Sequence, residues 1–277
     1  MAYSTEISRT NPTCILFLVD QSSSMGKPFG GAPGKSKAEG VADAINRLLQ
    51  NLVLKCAKAD GIRDYFRLGV IGYGKGVKPV LGGSESTLVP ISKVADSPLR
   101  VETRKRLVDD GAGGLSEQSF KFPIWFEPVF EGKTPMCEAV KLANETVAKF
   151  LMEFPDCFPP MVIHMTDGMP SDGNPLDQSR SLRALQSSDG NVLMLNLHLS
   201  STAAPPFIFP DSEAGLPDNL ARLLFRMSSV LPGRLREVAT SEGFTVGAES
   251  RGFAFNADLV GVIRFLDIGT RVATSVR

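Results

Sequence analysis

The chain lacks any long hydrophobic run, and this absence limits where it is expected to act. No apolar segment among its 277 residues approaches the roughly 20 residues that cross a bilayer. Residues 1–13, MAYSTEISRTNPT, also contain no apolar stretch of the kind that a signal peptide needs. The sequence therefore predicts a cytoplasmic protein without a membrane partner.

An excess of either charge is also missing, because 30 Lys and Arg residues balance 30 Asp and Glu residues. Proteins that bind nucleic acids usually carry a basic excess that neutralises phosphates, so no nucleic-acid partner is expected. The four cysteines form no C-x-x-C pair, and no histidine lies near one at zinc spacing. We expect reduced and mostly buried thiols at Cys14, Cys56, Cys137 and Cys157.

Groups suited to acid–base catalysis are scarce. The two histidines, His164 and His198, lie inside apolar stretches that predict strands, so we expect core side chains with hydrogen-bonded rings. No Ser-His-Asp or Cys-His set can be assembled without them. The chain is therefore predicted not to be an enzyme, and a metal-assisted hydrolase is the enzymatic alternative.

A strand that ends in a carboxylate is the most informative feature that the sequence does contain. Six apolar residues, CILFLV, lead directly into Asp20, and two hydroxyls follow at Ser22 and Ser24. The apolar run predicts a buried strand, which would deliver Asp20 to one end of a sheet. A carboxylate beside two hydroxyls is half of a cage for a hard divalent cation.

Strand patterns alternate with helical patterns along the rest of the chain. This alternation favours an α/β fold with a mainly parallel, doubly wound sheet flanked by helices on both faces. We expect one domain over residues 1–277. The predicted strands are Arg67–Tyr73, Met161–Thr166, Asn191–Leu199 and Gly252–Phe255, and the predicted helices are Ser36–Ala59, Pro135–Phe154 with Thr134 as N-cap, Leu216–Val230, and a last helix after Asn256 carrying Leu259, Val260, Ile263 and Leu266.

Residues 77–130 interrupt the alternation and are predicted to form an insertion. Its glycines at 111–114 and the stretch FKFPIWFEPVF at 120–130 suggest turns and a hairpin. Trp125 lies in this stretch among four phenylalanines. These aromatic residues either pack the insertion onto the domain or form an exposed docking patch.

Three separated elements carry the predicted chemistry. They are D-x-S-x-S at Asp20, Ser22 and Ser24, Thr134 within EGKTP, and Asp167 within MTDG. In this order, and at predicted strand or helix ends, they resemble the metal-ion-dependent adhesion site (MIDAS) of the von Willebrand factor A (vWA) family. All five positions match that pattern.

The resemblance implies a Mg²⁺ or Mn²⁺ site. It implies direct ligation by Ser22, Ser24 and often Thr134, with Asp20 and Asp167 acting largely through water. All five side chains supply the oxygen ligands that Mg²⁺ prefers. The resemblance also implies an open coordination position that an acidic side chain of a partner protein completes.

Several alternatives stay open at this point. The chain resembles bacterial cytoplasmic vWA proteins of modules with a Ser/Thr kinase and a metal-dependent protein phosphatase, which suggests a signalling or stress-response scaffold. An AAA+ ATPase or chelatase-type machine is the alternative partner. Gly30–Ser36 nearly spells a phosphate-binding loop but is one residue short between its glycines. Asp172 and Asp177 form either a second cation site or a solvated turn.

Overall fold

The computed structural model describes residues 3–29, 34–81, 86–109, 114–200, 205–257, 261 and 263–267. The strands are β1 Thr13–Asp20, β2 Ala57–Lys58, β3 Gly61–Ile62, β4 Phe66–Tyr73, β5 Val77–Pro79, β6 Val89–Pro90, β7 Arg100–Asp109, β8 Leu115–Ile124, β9 Met161–Thr166, β10 Gln186–Ser187, β11 Gly190–Asn191, β12 Leu193–His198, β13 Phe207–Ile208 and β14 Phe253–Phe255. The helices are α1 Lys37–Cys56, α2 Ile91–Asp96, α3 Met136–Glu153, α4 Leu176–Ala184, α5 Asn219–Met227 and α6 Gly233–Ser241, and Ser23–Gly26 forms a 3₁₀ turn.

One mainly parallel sheet organises the fold, which confirms the predicted α/β class. Its strand order is β13-β14-β12-β9-β1-β4-β5, and β6 also pairs with β4. The five central strands run parallel, whereas β13, β5 and β6 pair antiparallel at the periphery. None of the described helices is long and apolar enough to cross a membrane.

The central strand β1 explains why its sequence is a continuous apolar run. All eight of its residues are buried, because helices cover both faces of the sheet. Successive side chains of a strand point to opposite faces. Phe17 accordingly lies in the same core cluster as Ile45 of α1, and Leu18 lies in the cluster that contains Val140 of α3.

Helix boundaries depart from the sequence prediction where local hydrogen bonds intervene. Helix α1 begins after Ser36, whose hydroxyl accepts the N–H of Glu39 while the Glu39 carboxylate accepts the N–H of Ser36. It ends at Cys56, because the next residues form the short β2–β3 hairpin. Helix α5 is shorter than predicted and begins after Asp218, which accepts the N–H of Ala221.

Near the C-terminal end of the chain, one helix was not predicted and another was. Helix α6 was not predicted, because Leu235 and Ala239 are its only buried residues and its periodic signal is short. Residues 261 and 263–267 are helical, as expected for the last helix. Leu259 and Val260 of that predicted helix lie outside the described residues.

The insertion contains the predicted hairpin. The hairpin begins at Arg100, well before the glycines and the aromatic stretch from which it was predicted. Strands β7 and β8 pair antiparallel over ten positions, from Arg100 opposite Ile124 to Asp109 opposite Leu115. Residues 111–113, where a turn was predicted, lie outside the described residues.

Buried aromatic residues fasten the hairpin to the rest of the fold. Trp125 and Phe126 are 2% and 3% exposed, and the indole N–H donates to the carbonyl of Val94 at 2.6 Å. The Asn46 side chain accepts both of their backbone N–H groups and donates to the Phe126 carbonyl. Packing therefore accounts for Trp125 and Phe126, whereas Phe130 is 49% exposed.

Candidate metal centre

The loops that follow β1 and β9 meet at one edge of the sheet. These strands are parallel neighbours, with Val19 opposite Met165, so their carboxyl ends lie side by side. Asp20 is the last residue of β1, and Asp167 directly follows β9. The sequence prediction that both carboxylates reach the same edge is confirmed.

Asp20 is buried, and its carboxylate accepts hydrogen bonds from the loop that follows β1 and from the last residue of β9. One carboxylate oxygen accepts the backbone N–H of Ser22 at 2.7 Å, and the other accepts the hydroxyl of Thr166 at 2.5 Å. Burial raises the pKa of Asp20 to about 6, although the hydrogen bonds from Thr166 and Ser22 act in the opposite direction. A cation at this position would relieve the cost of burying the charge.

Ser22, Ser24 and Asp167 form a continuous hydrogen-bonded chain. The two serine oxygens are 3.0 Å apart, and the Ser24 hydroxyl donates to Asp167 Oδ1 at 2.6 Å. The second oxygen of Asp167 accepts a hydrogen bond from Lys37 Nζ at 2.8 Å. The D-x-S-x-S element and Asp167 are thus in direct contact.

Thr134 lies near the Asp20 carboxylate, and Gly168 is adjacent to both side chains. A Cβ built on Gly168 would be 3.1 Å from Thr134 Oγ1 and 3.6 Å from Asp20 Oδ2. Any larger residue at position 168 would therefore fill a cradle lined by the threonine hydroxyl and the Asp20 carboxylate. The five residues predicted from the sequence are consequently brought together.

Backbone hydrogen bonds join the three loops that carry these side chains. The Ser23 N–H donates to the Gly132 carbonyl, and the Gly132 N–H donates to the Ser23 hydroxyl, both at 3.2 Å. The Ser171 N–H donates to the Thr134 carbonyl at 2.9 Å, and Ser171 Oγ accepts the Thr134 N–H. Gly132 has a φ of 92°, a conformation that glycine tolerates best. The oxygens of the site therefore sit on a connected rim.

The prediction that Thr134 caps α3 is wrong. Pro135 occupies the N-cap position and makes no side-chain cap. The Asp172 carboxylate caps the helix from the β9–α4 loop, because it accepts the N–H groups of Cys137 and Glu138 at 3.1 and 3.0 Å. Asp177 instead pairs with Arg180 on the surface of α4. These contacts account for both carboxylates without a second cation.

The donor set fits a hard divalent ion. Two carboxylates and three hydroxyls are ligands of the kind that Mg²⁺ and Mn²⁺ take. Within the described part of the chain, no three His, Cys, Asp or Glu side chains come together as a metal-binding group. An ion at this edge would therefore depend on hydroxyl oxygens as much as on carboxylates.

Two residues of this site are not among the five predicted ones. The sequence predicts Thr166 only as the last residue of a strand, although its hydroxyl donates to Asp20. It predicts Lys37 only as part of a helix, although the ion pair of Lys37 with Asp167 is buried, with side chains 4% and 2% exposed. No sequence signal separates Lys37 from the nearby Lys35, which pairs with Asp43.

Lys35 is the lysine of Gly30–Ser36, the segment that nearly matches a phosphate-binding loop. Its ammonium group is engaged by Asp43 of α1. Residues 30–33 of that motif lie outside the described residues. The part of the motif that is described thus offers no uncommitted lysine for a phosphate.

The two histidines are buried, as predicted, but only one has both ring nitrogens accounted for. His164 Nε2 lies 2.6 Å from the Tyr73 hydroxyl, and its Nδ1 lies 2.8 Å from Asn196 Oδ1. His198 Nδ1 is buried without a hydrogen-bond partner, so the expectation of a satisfied ring is wrong there. Burial lowers the pKa of each imidazole to about 4.

The cysteines are all free, as the sequence predicted. Cys14, Cys56 and Cys157 are buried, and Cys137 is partly exposed. Burial raises the pKa of Cys56 and of Cys157 to about 12, which leaves both as neutral thiols.

Comparisons with known proteins find structural likeness at low sequence identity. No family model matches the chain, and no curated protein matches it. A von Willebrand factor type A protein from Catenulispora acidiphila is 15% identical, with a TM-score of 0.47, over 95% of this chain and 42% of that one. The ArnB paralog VWA2 from Sulfolobus acidocaldarius is 13% identical, with a TM-score of 0.33, over 70% of this chain and 36% of that one.

A third solved structure was determined with a metal. Proximal thread matrix protein 1 from the mussel byssus, with a zinc-occupied MIDAS motif, is 14% identical with a TM-score of 0.46, over 97% of this chain and 49% of that one. The chain thus spans less than half the length of each of these three structures. The zinc is a property of that mussel protein.

Proposed function

We propose that this chain is a vWA-type protein-binding module that holds Mg²⁺ or Mn²⁺ through Asp20, Ser22, Ser24, Thr134 and Asp167. The observation that carries the proposal is the convergence of these five oxygen-bearing side chains at one sheet edge, around Gly168, where a Cβ would lie 3.1 Å from the Thr134 hydroxyl and 3.6 Å from the Asp20 carboxylate. Caps and turn formers at separate loops would have no reason to join Asp20, Ser22, Ser24 and Asp167 in one hydrogen-bonded cluster with Thr134 nearby. The hardness of the oxygen donors supports Mg²⁺ or Mn²⁺ over zinc.

The charge of the cluster supports docking of an acidic side chain. When bound, the ion would supply a positively charged contact for a carboxylate from outside. Asp20 and Asp167 provide two negative charges, but Lys37 already neutralises part of the charge on Asp167. The residues of the site therefore neutralise only part of the charge of a divalent ion. An Asp or Glu of the partner would neutralise the rest.

Exposed apolar side chains beside the cluster support a protein as the partner. Phe130 is 49% exposed, lies four residues before Thr134, and packs against Gly26 of the 3₁₀ turn. Met169 is 54% exposed and lies two residues after Asp167. Aromatic residues and methionine are enriched in protein interfaces, so an acidic residue of the partner would be flanked by apolar contacts.

The surroundings of the histidines support binding over catalysis. Both imidazoles are buried, and the pKa of each is lowered far enough to keep it neutral near pH 7. We therefore propose a non-enzymatic scaffold, with a Ser/Thr kinase or a metal-dependent protein phosphatase of a bacterial signalling complex as partner. The four free thiols support a cytoplasmic location.

A pull-down that depends on the ion tests this function. The chain is immobilised and exposed to a lysate with Mg²⁺, with EDTA, and with EDTA followed by excess Mg²⁺, and the captured proteins are identified by mass spectrometry. We expect capture of a kinase or phosphatase that EDTA abolishes and Mg²⁺ restores. Capture of an AAA+ subunit would support the alternative partner.

Matched variants separate the site from the surrounding surface. Ser24→Ala removes an oxygen of the cluster, whereas Asp177→Ala removes an exposed carboxylate that pairs only with Arg180. We expect the first to abolish metal-dependent capture and the second to preserve it. Capture that is unaffected by EDTA and by Ser24→Ala would overturn the proposal.

A further inference from the structure

We propose that Lys37 is an internal cation that competes with the divalent ion for Asp167 and so weakens ion binding. This inference rests on the proposed function. Lys37 Nζ lies 2.8 Å from Asp167 Oδ2, and the two side chains are 4% and 2% exposed. A buried lysine thus already occupies one of the two oxygens of a carboxylate in the ion-binding set.

The fold holds this lysine at the site. Lys37 is the first residue of α1 and lies between Ser36 and Glu39, the two residues of the capping box. Its backbone N–H donates to the Lys27 carbonyl at 3.0 Å, which ties the start of the helix to the loop that leaves the 3₁₀ turn. The capping box and the hydrogen bond to Lys27 therefore fix the helix start, and this places the Lys37 ammonium group beside Asp167.

The charges predict the direction of the effect. Asp167 Oδ1 accepts from Ser24, and Oδ2 accepts from Lys37, so an ion entering beside Ser24 would meet a neighbouring positive charge. Repulsion between a unit charge and a divalent ion at about 5 Å changes a binding constant by about tenfold or more, even with the dielectric constant of water. Lys37 would accordingly set the ion concentration at which the docking site forms.

Burial explains what the lysine contributes in return. A buried carboxylate without a partner is strongly unfavourable, and the Lys37 ammonium provides Asp167 with a counter-charge when no ion is bound. The same contact that weakens ion binding therefore stabilises the protein without its ion. Removing the lysine should make stability depend more strongly on the ion.

Direct titration of the purified 277-residue chain with Mn²⁺ tests the proposal, with free Mn²⁺ measured by electron paramagnetic resonance. Lys37→Met removes the charge and keeps a long unbranched side chain, and we expect its Kd to fall by about tenfold. Lys37→Arg keeps the charge and should stay within about twofold of wild type. Lys35→Met is the matched control, because it removes a lysine two residues away that pairs with Asp43, and it should also stay near wild type.

Thermal unfolding gives a second measurement that does not depend on a partner. Without ions, Lys37→Met should have a lower Tm than wild type, and saturating Mn²⁺ should raise that Tm by more than it raises the wild-type value. Lys37→Gln, which can still donate a hydrogen bond to Asp167, provides the affinity measurement if Lys37→Met does not fold.

Two failures can be told apart. If Lys37→Met and Lys37→Gln bind Mn²⁺ as wild type does, or more weakly, Lys37 does not compete with the ion, and the competition proposal is wrong while the ion site stands. If wild type and both variants bind no Mn²⁺, the proposed function fails and this inference fails with it.

Discussion

The rim of the sheet and the β7–β8 hairpin are held in place in opposite ways. The rim is the sheet edge that carries Asp20 and Asp167. Its charged groups, which include the Lys37–Asp167 pair, are buried and held by hydrogen bonds. At the base of the hairpin, buried aromatic residues and one asparagine fasten a segment whose outer residues, among them Leu107 and Leu115, are exposed. The rim concentrates groups that are costly to bury, whereas the hairpin base concentrates groups that favour burial.

This difference predicts where mutations should affect ion binding and where they should affect stability. Functional sites often retain arrangements that a purely stabilising sequence would avoid. Substitution of a rim carboxylate whose burial is unfavourable, such as Asp20, should therefore change ion affinity with little loss of stability. Substitutions at the hairpin base should lower stability and leave ion affinity unchanged.

The largest effect is expected from Asp20→Asn. Loss of this carboxylate should weaken Mn²⁺ binding by about 100-fold or more, since even outer-shell substitutions cost about 10- to 100-fold in metal affinity. Its stability should not fall at pH 7, because the raised pKa of Asp20 means that the ionised carboxylate destabilises the folded state above the pKa of the unfolded chain. Isothermal titration calorimetry and urea unfolding without added ions measure the two quantities.

Asp177→Asn is the matched control for this variant, because Asp177 is an exposed carboxylate outside the cluster. It should bind Mn²⁺ as wild type does. If Asp20→Asn binds Mn²⁺ normally, or is markedly less stable than wild type without ions, the proposed difference between the rim and the hairpin base is wrong.

The second effect in size is expected from Asn46→Ala, which should lower the free energy of unfolding by about 3 kcal/mol. Its side chain satisfies the N–H groups of Trp125 and Phe126 and the Phe126 carbonyl. Each buried polar group left without a partner costs about 1 to 3 kcal/mol. Urea denaturation measures the loss, and Mn²⁺ affinity should be unchanged.

Gln50→Ala is the control on the same helix, because Gln50 makes an exposed hydrogen bond to the Lys121 carbonyl of the same hairpin. Its effect should stay within about 0.5 kcal/mol. If Asn46→Ala instead weakened Mn²⁺ binding, the hairpin base and the rim would be coupled.

The third prediction concerns pH. The pKa of both His164 and His198 is lowered to about 4, whereas an unfolded histidine has its pKa near 6.5. Between these values the unfolded chain binds more protons, so the histidine contribution to stability falls as the pH drops from about 6.5 to about 4. NMR titration of the two imidazoles should show no protonation near pH 6.5 in the folded protein.

The Asp20→Asn variant sharpens this measurement. The raised pKa of Asp20 gives its carboxyl the opposite dependence, because its contribution to stability rises as the pH falls through about 6. Urea unfolding of the variant should therefore show a steeper loss of stability on acidification than wild type. A midpoint near 6.5 for either imidazole in the folded protein would contradict the buried placement of the histidines.

Much of the fold could be predicted because hydrophobic periodicity is local. The apolar run before Asp20, the helix over most of Ser36–Ala59 and the strand Met161–Thr166 all formed close to their predicted bounds. The wrongly predicted cap of α3 lies where hydrogen bonds from a distant residue decide the helix start. Asp172 caps α3 from 35 residues away in sequence, and no pattern around Thr134 indicates it.

Apolar strand patterns were enough to predict the parallel α/β architecture and the position of Asp20 and Asp167 at one edge, because the carboxyl ends of buried parallel strands lie side by side. The groups that surround those carboxylates depend on how the elements pack. Lys37 reaches Asp167 across 130 residues, and Thr166 reaches Asp20 across 146. Such pairings depend on how helices and strands pack, and electrostatic contacts of this kind leave no periodic trace in the chain.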